Sequence, residues 1–232
     1  MVNVEKEKCR ESLALSGEKD QASVNYKGKL AQLLRGCPEY KQAKQVFSSP
    51  AALLDQIRIN VLLDGKDLIM PGPGLKQGFF RIKPFSVPFT KIGYAVTYKG
   101  LTKHGILLDD AALGGLAVDL MLTEALAVDQ AGTAINDGQG FFDIACAALH
   151  ELGVLTDRFK TICILGEKQR VESLPREPWD VPLDCVIEPQ GVTRFQRDSR
   201  WVPKIYWESL ESKSIKSMTP IWKLRSQNIS RA

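Results

Sequence analysis

Apolar and polar positions change their spacing several times along this chain, and the changes predict alternating strands and helices. Short apolar runs at 45–48, 68–70, 118–124, 159–166 and 183–189 are typical of buried strands. Between the first two runs, apolar residues repeat at helical spacing after a start at Pro50 and before a stop at Gly65. These residues are Leu53, Leu54, Ile57 and Val61. A strand, a helix and a strand in this order predict a parallel sheet with helices on its faces.

The rest of the pattern predicts shorter elements. Short helices are expected at 5–13, 27–34 and 38–44, and a polar loop is expected at 16–25. Residues 78–98 alternate apolar runs with prolines, which predicts strands or irregular connections. Residues 171–182 are expected to cross the surface, because their prolines fix the path of the chain.

A glycine-containing loop at 136–140 opens directly onto a helix, and this arrangement is typical of an anion site. Gly138 and Gly140 can adopt positive φ and let another group approach the backbone. From Phe141 the apolar residues follow helical spacing, and Gly153 predicts the end of the helix. The first turn of a helix has N–H groups without internal partners and carries the positive end of the dipole, so it suits a phosphate.

Asp143 lies within the first turn of this helix and would direct its carboxylate at a cation that accompanies the phosphate. Mg²⁺ in proteins is usually held by one or two carboxylates together with phosphate oxygens. The alternative is an ordinary turn, with Asp143 present because acids favour the first turn of a helix. The pattern of residues leaves both interpretations open.

Three blocks of the sequence resemble the 5-formyltetrahydrofolate cyclo-ligase (methenyltetrahydrofolate synthetase) family. The first is Asn-Asp-Gly-Gln-Gly-Phe-Phe-Asp at 136–143, a glycine-containing loop that ends in two aromatic residues and an acid. The second, Leu-Pro-Arg-Glu-Pro-Trp-Asp-Val-Pro-Leu-Asp at 174–184, is similar to a family segment with two spaced aspartates. The third is Asp-Gly-Lys-Asp-Leu-Ile-Met-Pro at 64–71, which resembles a strand entry. The similarity spans residues 3–192.

The resemblance implies a three-layer α/β/α domain with a mainly parallel sheet, a fold class that also includes sugar-phosphate isomerases and CoA transferases. It implies an ATP- and Mg²⁺-dependent ligase that converts 5-formyltetrahydrofolate to methenyltetrahydrofolate. The residues that it places at the nucleotide are Lys6, Arg10, Asn136, Asp137, Gly138, Gln139, Gly140, Phe141 and Phe142. Asp143 and Asp180 would hold the metal, and Phe141 and Phe142 would face the substrate. Lys76, from a basic stretch, is a further substrate candidate, and all these groups would only position reactants and balance charge.

Two of these assignments have simpler alternatives. Lys6 and Arg10 are four residues apart and share a helical face, which is similar to the family's Lys-x-x-Leu-Arg motif, but a solvated basic terminus fits equally. Asp180 also suits a turn before Val181 and its following proline. A nucleotide- or folate-binding protein of the same fold without ligase activity is the alternative function.

The chain departs from the family pattern on the folate side, and the resemblance is therefore to a divergent member. Ala51 stands where the compared cyclo-ligases have a folate-binding Glu, and Asp55 is a candidate to replace it. Phe141 and Phe142 replace a tyrosine pair common among relatives, and Ile144 replaces a basic residue. These changes keep an apolar wall but remove hydroxyl groups and a positive charge near the reacting group.

Composition limits the class of protein. Charged residues make up 25% and aromatic residues 8% of the 232 residues, which is ordinary for a soluble protein with a substantial core. No apolar run reaches about 18 residues and the start is too polar for a signal peptide, so we expect a cytoplasmic protein without a membrane span. Five scattered cysteines predict reduced, mostly buried thiols, and two histidines argue against a zinc site. We expect a monomer or homodimer that takes folate and nucleotide as small-molecule partners.

Residues 194–232 form a C-terminal arm that differs in composition from the cyclo-ligase-like domain predicted at 1–193. The arm has nine basic and three acidic residues, a net charge of +6, whereas the remainder has a net charge of −2. Three of the four tryptophans, Trp201, Trp207 and Trp222, are in the arm. Basic residues interleaved with aromatic ones can bind single-stranded nucleic acid. We favour tryptophans that fasten the arm to its own domain, and association with RNA stays an alternative.

Overall fold

The computed structural model describes residues 6–9, 11–12, 22–136, 140–198 and 200–231. Its strands are β1 (Gln45–Ser48), β2 (Asp67–Pro71), β3 (Phe79–Ile82), β4 (Ile106–Leu107), β5 (Val118–Glu124), β6 (Ala127–Val128), β7 (Ala134–Ile135), β8 (Leu155–Ile164), β9 (Cys185–Glu188) and β10 (Gly191–Arg194). Its helices are α1 (Ala22–Gly36), α2 (Pro38–Gln42), α3 (Asp55–Leu63), α4 (Ile92–Ala95), α5 (Tyr98–His104), α6 (Asp110–Gly114), α7 (Phe141–Glu151), α8 (Ser212–Ser217) and α9 (Thr219–Arg231). Residues 6–9 and 11–12 are also helical.

Eight strands form one sheet in the order β10-β9-β8-β5-β1-β2-β3-β4. The five inner strands β9, β8, β5, β1 and β2 run parallel to one another, whereas β10 pairs antiparallel with β9 at one edge, and β3 and β4 add antiparallel strands beyond β2 at the other. Strands β6 and β7 form a separate antiparallel pair. The prediction of an α/β fold with a mainly parallel sheet is confirmed, and the antiparallel edges are an addition to it.

Both faces of the sheet are buried, because consecutive strand residues point to opposite sides. In β2, Leu68 and Met70 join a hydrophobic cluster with residues of α1 and α3, whereas Ile69 joins a second cluster with residues of α7 and α9. The predicted strand, helix and strand unit is β1, α3 and β2, and Phe47 lies opposite Ile69 in the parallel ladder. The stretch after Pro50 starts with a 3-10 turn at Ala52–Leu54 before α3 begins.

One prediction of local structure was wrong, and another held only in part. The loop expected at 16–25 ends earlier, because α1 already begins at Ala22, where polar residues gave no helical periodicity. Residues 78–98 hold β3 and then α4 and the start of α5, helices of four and seven residues. Helices this short offer too few positions for an apolar repeat to be read.

The C-terminal arm packs along the second cluster. Strand β10 crosses the predicted boundary at 193/194 and ends at Arg194. Ile215, Met218 and Ile221 are buried in the same cluster as the core side of α7, and two of the arm's tryptophans pack partly buried against it. Trp222 is 46% exposed. This packing agrees with the interpretation that the arm is fastened to its domain.

The cysteines follow the expectation from sequence. All five are free thiols, and four of them are buried, with Cys9 partly exposed. In the part of the chain that the structure describes, no helix is both long enough and apolar enough to cross a membrane.

Candidate functional site

The start of α7 is open at the place where the glycine loop was expected to meet a ligand. Gly140 precedes the helix with φ 64° and ψ 16°, a left-handed conformation that favours glycine. Gly140 occupies the N-cap position and has no side chain to cap the helix, and among the described residues no heavy atom lies within 4 Å of a Cβ placed on it, apart from its chain neighbours. Asn136 Oδ1 is buried and has no hydrogen-bond partner in the described ranges. These groups leave backbone donors and one acceptor available to a ligand.

Asp143, Asp180 and Lys6 come from three distant blocks of the sequence, and the fold brings them together. The Val181 N–H donates to Asp143 Oδ1 at 2.9 Å, which places the segment that carries Asp180 against the first turn of α7. Asp180 is 6% exposed, and Lys6 Nζ donates to its Oδ1. The Glu177 N–H donates to Asp180 Oδ2 at 2.8 Å. Both acids are therefore fixed by backbone donors of one proline-rich segment.

These two backbone donors were missed by reasoning from the sequence. Val181 and Glu177 act through their backbone N–H groups. Nearly every residue has such a group, so the type of residue does not indicate which one will donate. The only sequence signal was the Pro-rich composition of 174–184, which indicates a segment with a restricted path.

The Asp143 carboxyl group is enclosed by protein atoms, although the residue as a whole is half-buried. Burial raises the pKa of Asp143 to about 7, because a charged carboxylate loses its water. The N–H of Val181 opposes this rise, the negative charge of Asp180 adds to it, and the positive charge of Lys6 opposes it. Near neutral pH, Asp143 is therefore poised between its neutral and charged forms.

This raised pKa predicts a pH-dependent penalty on folding. The ordinary pKa is near 3.8, so between pH 4 and 7 the unfolded chain releases the proton before the folded chain does, and stability falls as pH rises through this window. Asp143→Asn removes the penalty and keeps an oxygen for the Val181 N–H. We expect the variant and the native chain to be equally stable at pH 4, and the variant to be more stable by roughly 2–4 kcal/mol at pH 8.

Urea unfolding at both pH values measures this difference. Asp157→Asn, which removes an exposed acid of β8, controls for the change in net charge. A stability difference for Asp143→Asn that is the same at pH 4 and pH 8 would contradict the prediction.

The two carboxylates fit Mg²⁺ in their chemistry. Mg²⁺ prefers oxygen ligands and is commonly bound by one or two carboxylates, with phosphate oxygens and water as the other ligands. Two neighbouring acids, one of them enclosed and with a raised pKa, form a place where a divalent cation relieves repulsion. Within the described ranges no group of three or more His, Cys, Asp and Glu side chains is arranged as a metal site. The described part of the chain therefore places no third His, Cys, Asp or Glu ligand beside these two acids.

The side chains of Phe141 and Phe142, both predicted to face the substrate, have different surroundings. Phe142 is 7% exposed and packs on Phe47, with ring centroids 6.2 Å apart, so its ring lies in the core. Consecutive helix residues point about 100° apart, so both rings cannot share one direction. Phe141 is partly buried and lies near the loop of Lys76: a Cβ on Gly74 would be 3.8 Å from Phe141 Cζ and 3.9 Å from Lys76 Cε.

Both carboxylate oxygens of Asp55 take part in ion pairs, although its side chain is 43% exposed. Arg58 is 1% exposed and pairs with Asp55 Oδ1, while Lys27 Nζ lies 3.3 Å from Asp55 Oδ2. Arg58 also donates to the Ala51 carbonyl oxygen at 2.9 Å. The acid that was a candidate to replace the missing Glu is therefore engaged in ion pairs with Arg58 and Lys27.

Four of the predicted nucleotide-binding residues lie outside the described residues. They are Arg10, Asp137, Gly138 and Gln139. Their assignment stays a prediction.

Comparison with known proteins agrees with the fold and with the family resemblance. A sequence model of the 5-formyltetrahydrofolate cyclo-ligase family matches residues 4–189. The methenyltetrahydrofolate synthase domain-containing protein of Homo sapiens is 25% identical over 177 residues, which are 72% of this chain and 45% of that protein. The protein of the same name from Danio rerio is 25% identical over 215 residues, or 87% of this chain and 54% of the relative. The chain spans about half the length of these curated relatives.

Two solved structures share the fold. The 5,10-methenyltetrahydrofolate synthetase of Aquifex aeolicus matches with a TM-score of 0.55 at 19% identity, covering 87% of this chain and 98% of that one. The enzyme of the same name from Mycoplasma pneumoniae matches with a TM-score of 0.52 at 14% identity, covering 79% and 98%. At these identities the likeness shows the fold alone.

Proposed function

The chain belongs to the 5-formyltetrahydrofolate cyclo-ligase family, and we propose that it uses ATP and Mg²⁺ to convert 5-formyltetrahydrofolate, or a close one-carbon folate analogue, to its methenyl form. The observation that carries this proposal is the meeting of Asp143, Asp180 and Lys6 beside the start of α7, where the N-cap residue is a glycine. Backbone donors, a cation and two acids in one place suit the triphosphate of a nucleotide with its metal.

The residues of the chain would bind the nucleotide through charge and backbone groups. The first-turn N–H groups of α7 are aligned with the positive end of its dipole and suit a phosphate. Lys6 is held at the site by Asp180 and would pair with a phosphate oxygen as well. Asn136 Oδ1 would accept a hydrogen bond from the ligand, which satisfies a buried acceptor that otherwise lacks a partner in the described residues.

Asp143 and Asp180 would hold Mg²⁺, which when bound offsets the negative charge of the phosphates during transfer. The chain's own part is to hold the two acids at fixed positions. Val181 and Glu177 do so through their N–H groups, so neither acid must reorganise when the reactants arrive.

The reaction proposed for this site has two steps. The formyl oxygen of the folate attacks the γ-phosphorus of ATP, the bond to the β-phosphate oxygen breaks, and ADP leaves with the bonding electron pair. The neighbouring folate nitrogen then attacks the activated carbon, loses its proton, and expels phosphate as the ring closes. Phe141 and the loop of Lys76 flank the start of α7 and would keep water from the activated carbon.

The assay for this function follows the absorbance of methenyltetrahydrofolate after the protein is mixed with ATP, Mg²⁺ and 5-formyltetrahydrofolate. We expect product only when all three are present, and we expect EDTA to abolish it. Asp157→Asn should behave as the native chain, because this acid is exposed on β8 and carries no assigned role.

The same experiment separates the proposed ligase from a binding protein of the same fold. Ala51 and the engaged Asp55 favour this second candidate, because they leave no acid at the position of the family's folate-binding Glu. Binding of Mg-ATP measured by calorimetry, without any product from the folate, would support binding alone.

A further inference from the structure

The C-terminal arm contacts two parts of the candidate site, although it lies beyond residue 189, where the family match ends. One part is the segment with Asp180, and the other is the loop with Lys76. These two parts approach α7 from different places in the sequence, so a single accidental contact does not explain both. The arm therefore makes contacts at the candidate site in addition to those that pack it on the core.

The first contact joins Tyr206 of the arm to Trp179, the residue before Asp180. The ring centroids are 5.8 Å apart and the planes are inclined at 64°, which is an edge-to-face arrangement. Ile205 is buried, and its N–H donates to Glu151 Oε1 at 2.9 Å, so this part of the arm is anchored to the last turn of α7. Trp179 is thus supported by Tyr206, and the backbone of the preceding residue, Ile205, is fixed to the same helix that begins at the site.

The second contact joins Thr219, the first residue of α9, to the loop of Lys76. Thr219 Oγ1 donates to the Lys76 carbonyl oxygen. Pro220 follows, and its Cγ would lie 3.5 Å from a Cβ on Gly78, whose φ of 92° favours glycine. The loop is therefore held at this end by the arm, while Gly74 at its other end lies beside the site wall.

We propose that Tyr206 and Thr219 are positioning residues, which hold the segment of Asp180 and the loop of Lys76 against the start of α7. Neither side chain is placed on a reacting group, so each acts through the segment that it supports. The kinetic part of this inference rests on the function proposed above, whereas its structural part stands without it.

The two contacts should affect different substrates. Tyr206→Ala removes the ring that supports Trp179, so the segment of Asp180 gains freedom, and we expect the KM for Mg-ATP to rise about tenfold. Thr219→Val keeps the shape of the side chain but removes the donated hydrogen bond, so the loop of Lys76 gains freedom. For this variant we expect the KM for the folate to rise about three- to tenfold with the KM for Mg-ATP unchanged.

The test compares four variants of the full chain: Tyr206→Ala, Tyr206→Phe, Thr219→Val and Thr219→Ser. Both KM values and kcat are measured, together with amide hydrogen exchange in peptides that cover 174–183 and 72–78. Tyr206→Phe keeps the aromatic edge and Thr219→Ser keeps the hydroxyl group, so both should restore native values. If Tyr206→Ala does not fold, Tyr206→Leu replaces it, because leucine keeps apolar bulk without an aromatic edge.

The outcomes separate this proposal from a purely structural role and from the proposed function. A lower kcat with both KM values unchanged reflects a smaller folded fraction and overturns the proposal. Unchanged exchange in both peptides overturns it as well. If the native chain makes no product, the ligase function fails, while faster exchange confined to the segment next to each altered residue still supports the positioning role.

Discussion

Asp143→Asn is expected to lower kcat/KM for ATP-dependent formation of methenyltetrahydrofolate by about 10²- to 10³-fold. Asparagine has nearly the same size and keeps an oxygen for the Val181 N–H, so the segment should stay in place. What it lacks is the negative charge next to Asp180, and with it half of the charge that would hold Mg²⁺. Because the enclosed carboxyl group opposes folding near neutral pH, the same variant should be less active and more stable.

Titration with Mg²⁺ tells apart the two ways in which activity can fall. If the lost charge weakens the binding of Mg²⁺, activity should recover in part at high Mg²⁺ concentration. Asp157→Asn is the matched control, since it removes one exposed acid of β8 that has no role in the proposed site. Activity of Asp143→Asn within threefold of the native chain, with the same Mg²⁺ dependence, would falsify the role assigned to this acid.

Arg58→Leu is expected to destabilise the fold by about 3 kcal/mol, because a buried cation with several partners cannot be removed without leaving them unpaired. The guanidinium group donates to the carbonyl oxygens of Val96 at 3.1 Å, Ser49 at 2.8 Å and Ala51 at 2.9 Å. It also pairs with Asp55. Leucine fills part of the volume but offers no donor to any of these oxygens.

Two of the carbonyl oxygens that accept from Arg58 would keep another hydrogen bond in Arg58→Leu, which limits the loss of stability. Ser49 O keeps the donor Ser48 Oγ, and Ala51 O keeps the Leu54 N–H, so each retains one hydrogen bond. Thermal unfolding should therefore shift by about 6–12 °C for a domain of this size. Arg58→Lys keeps the charge with fewer donors, so its melting temperature should lie between those of the native chain and Arg58→Leu.

Arg200→Leu is the control for Arg58→Leu, since it also exchanges an arginine for a leucine. The Arg200 side chain is 89% exposed and pairs with Asp198 at the surface, so no measurable loss is expected. Equal melting temperatures for Arg58→Leu and Arg200→Leu would show that the buried hydrogen bonds of Arg58 do not stabilise the fold.

Elements with local signals were predictable from the sequence. Strand β1 has the predicted bounds, and α7 begins at Phe141, because a glycine in left-handed conformation precedes an apolar repeat there. The strand, helix and strand unit around α3 follows from the same kind of signal. These features depend on residues that are close in sequence, so the local pattern of residue types is enough to predict them.

Features that depend on distant partners were not predictable. The antiparallel pairing of β3 with β2 depends on how a chain returns to the sheet, and apolar spacing is the same for either direction. The resemblance placed Asp143, Asp180 and Lys6 at one site, but the N–H groups that fix the acids had no signal in side-chain type. Phe141 and Phe142 looked alike in the sequence, but Phe142 is a buried member of the second cluster, whereas Phe141 is only partly buried against it.

The ion pair between Lys6 and Asp180 joins residues that are 174 positions apart. Contacts over such a distance form late, since the chain between them must first be ordered. During synthesis on a ribosome, Lys6 emerges long before Asp180 is added, so a nascent chain lacks the complete proposed nucleotide site until most of the domain exists. If the proposal holds, nucleotide would stabilise the finished domain and would not guide the early stages of its folding.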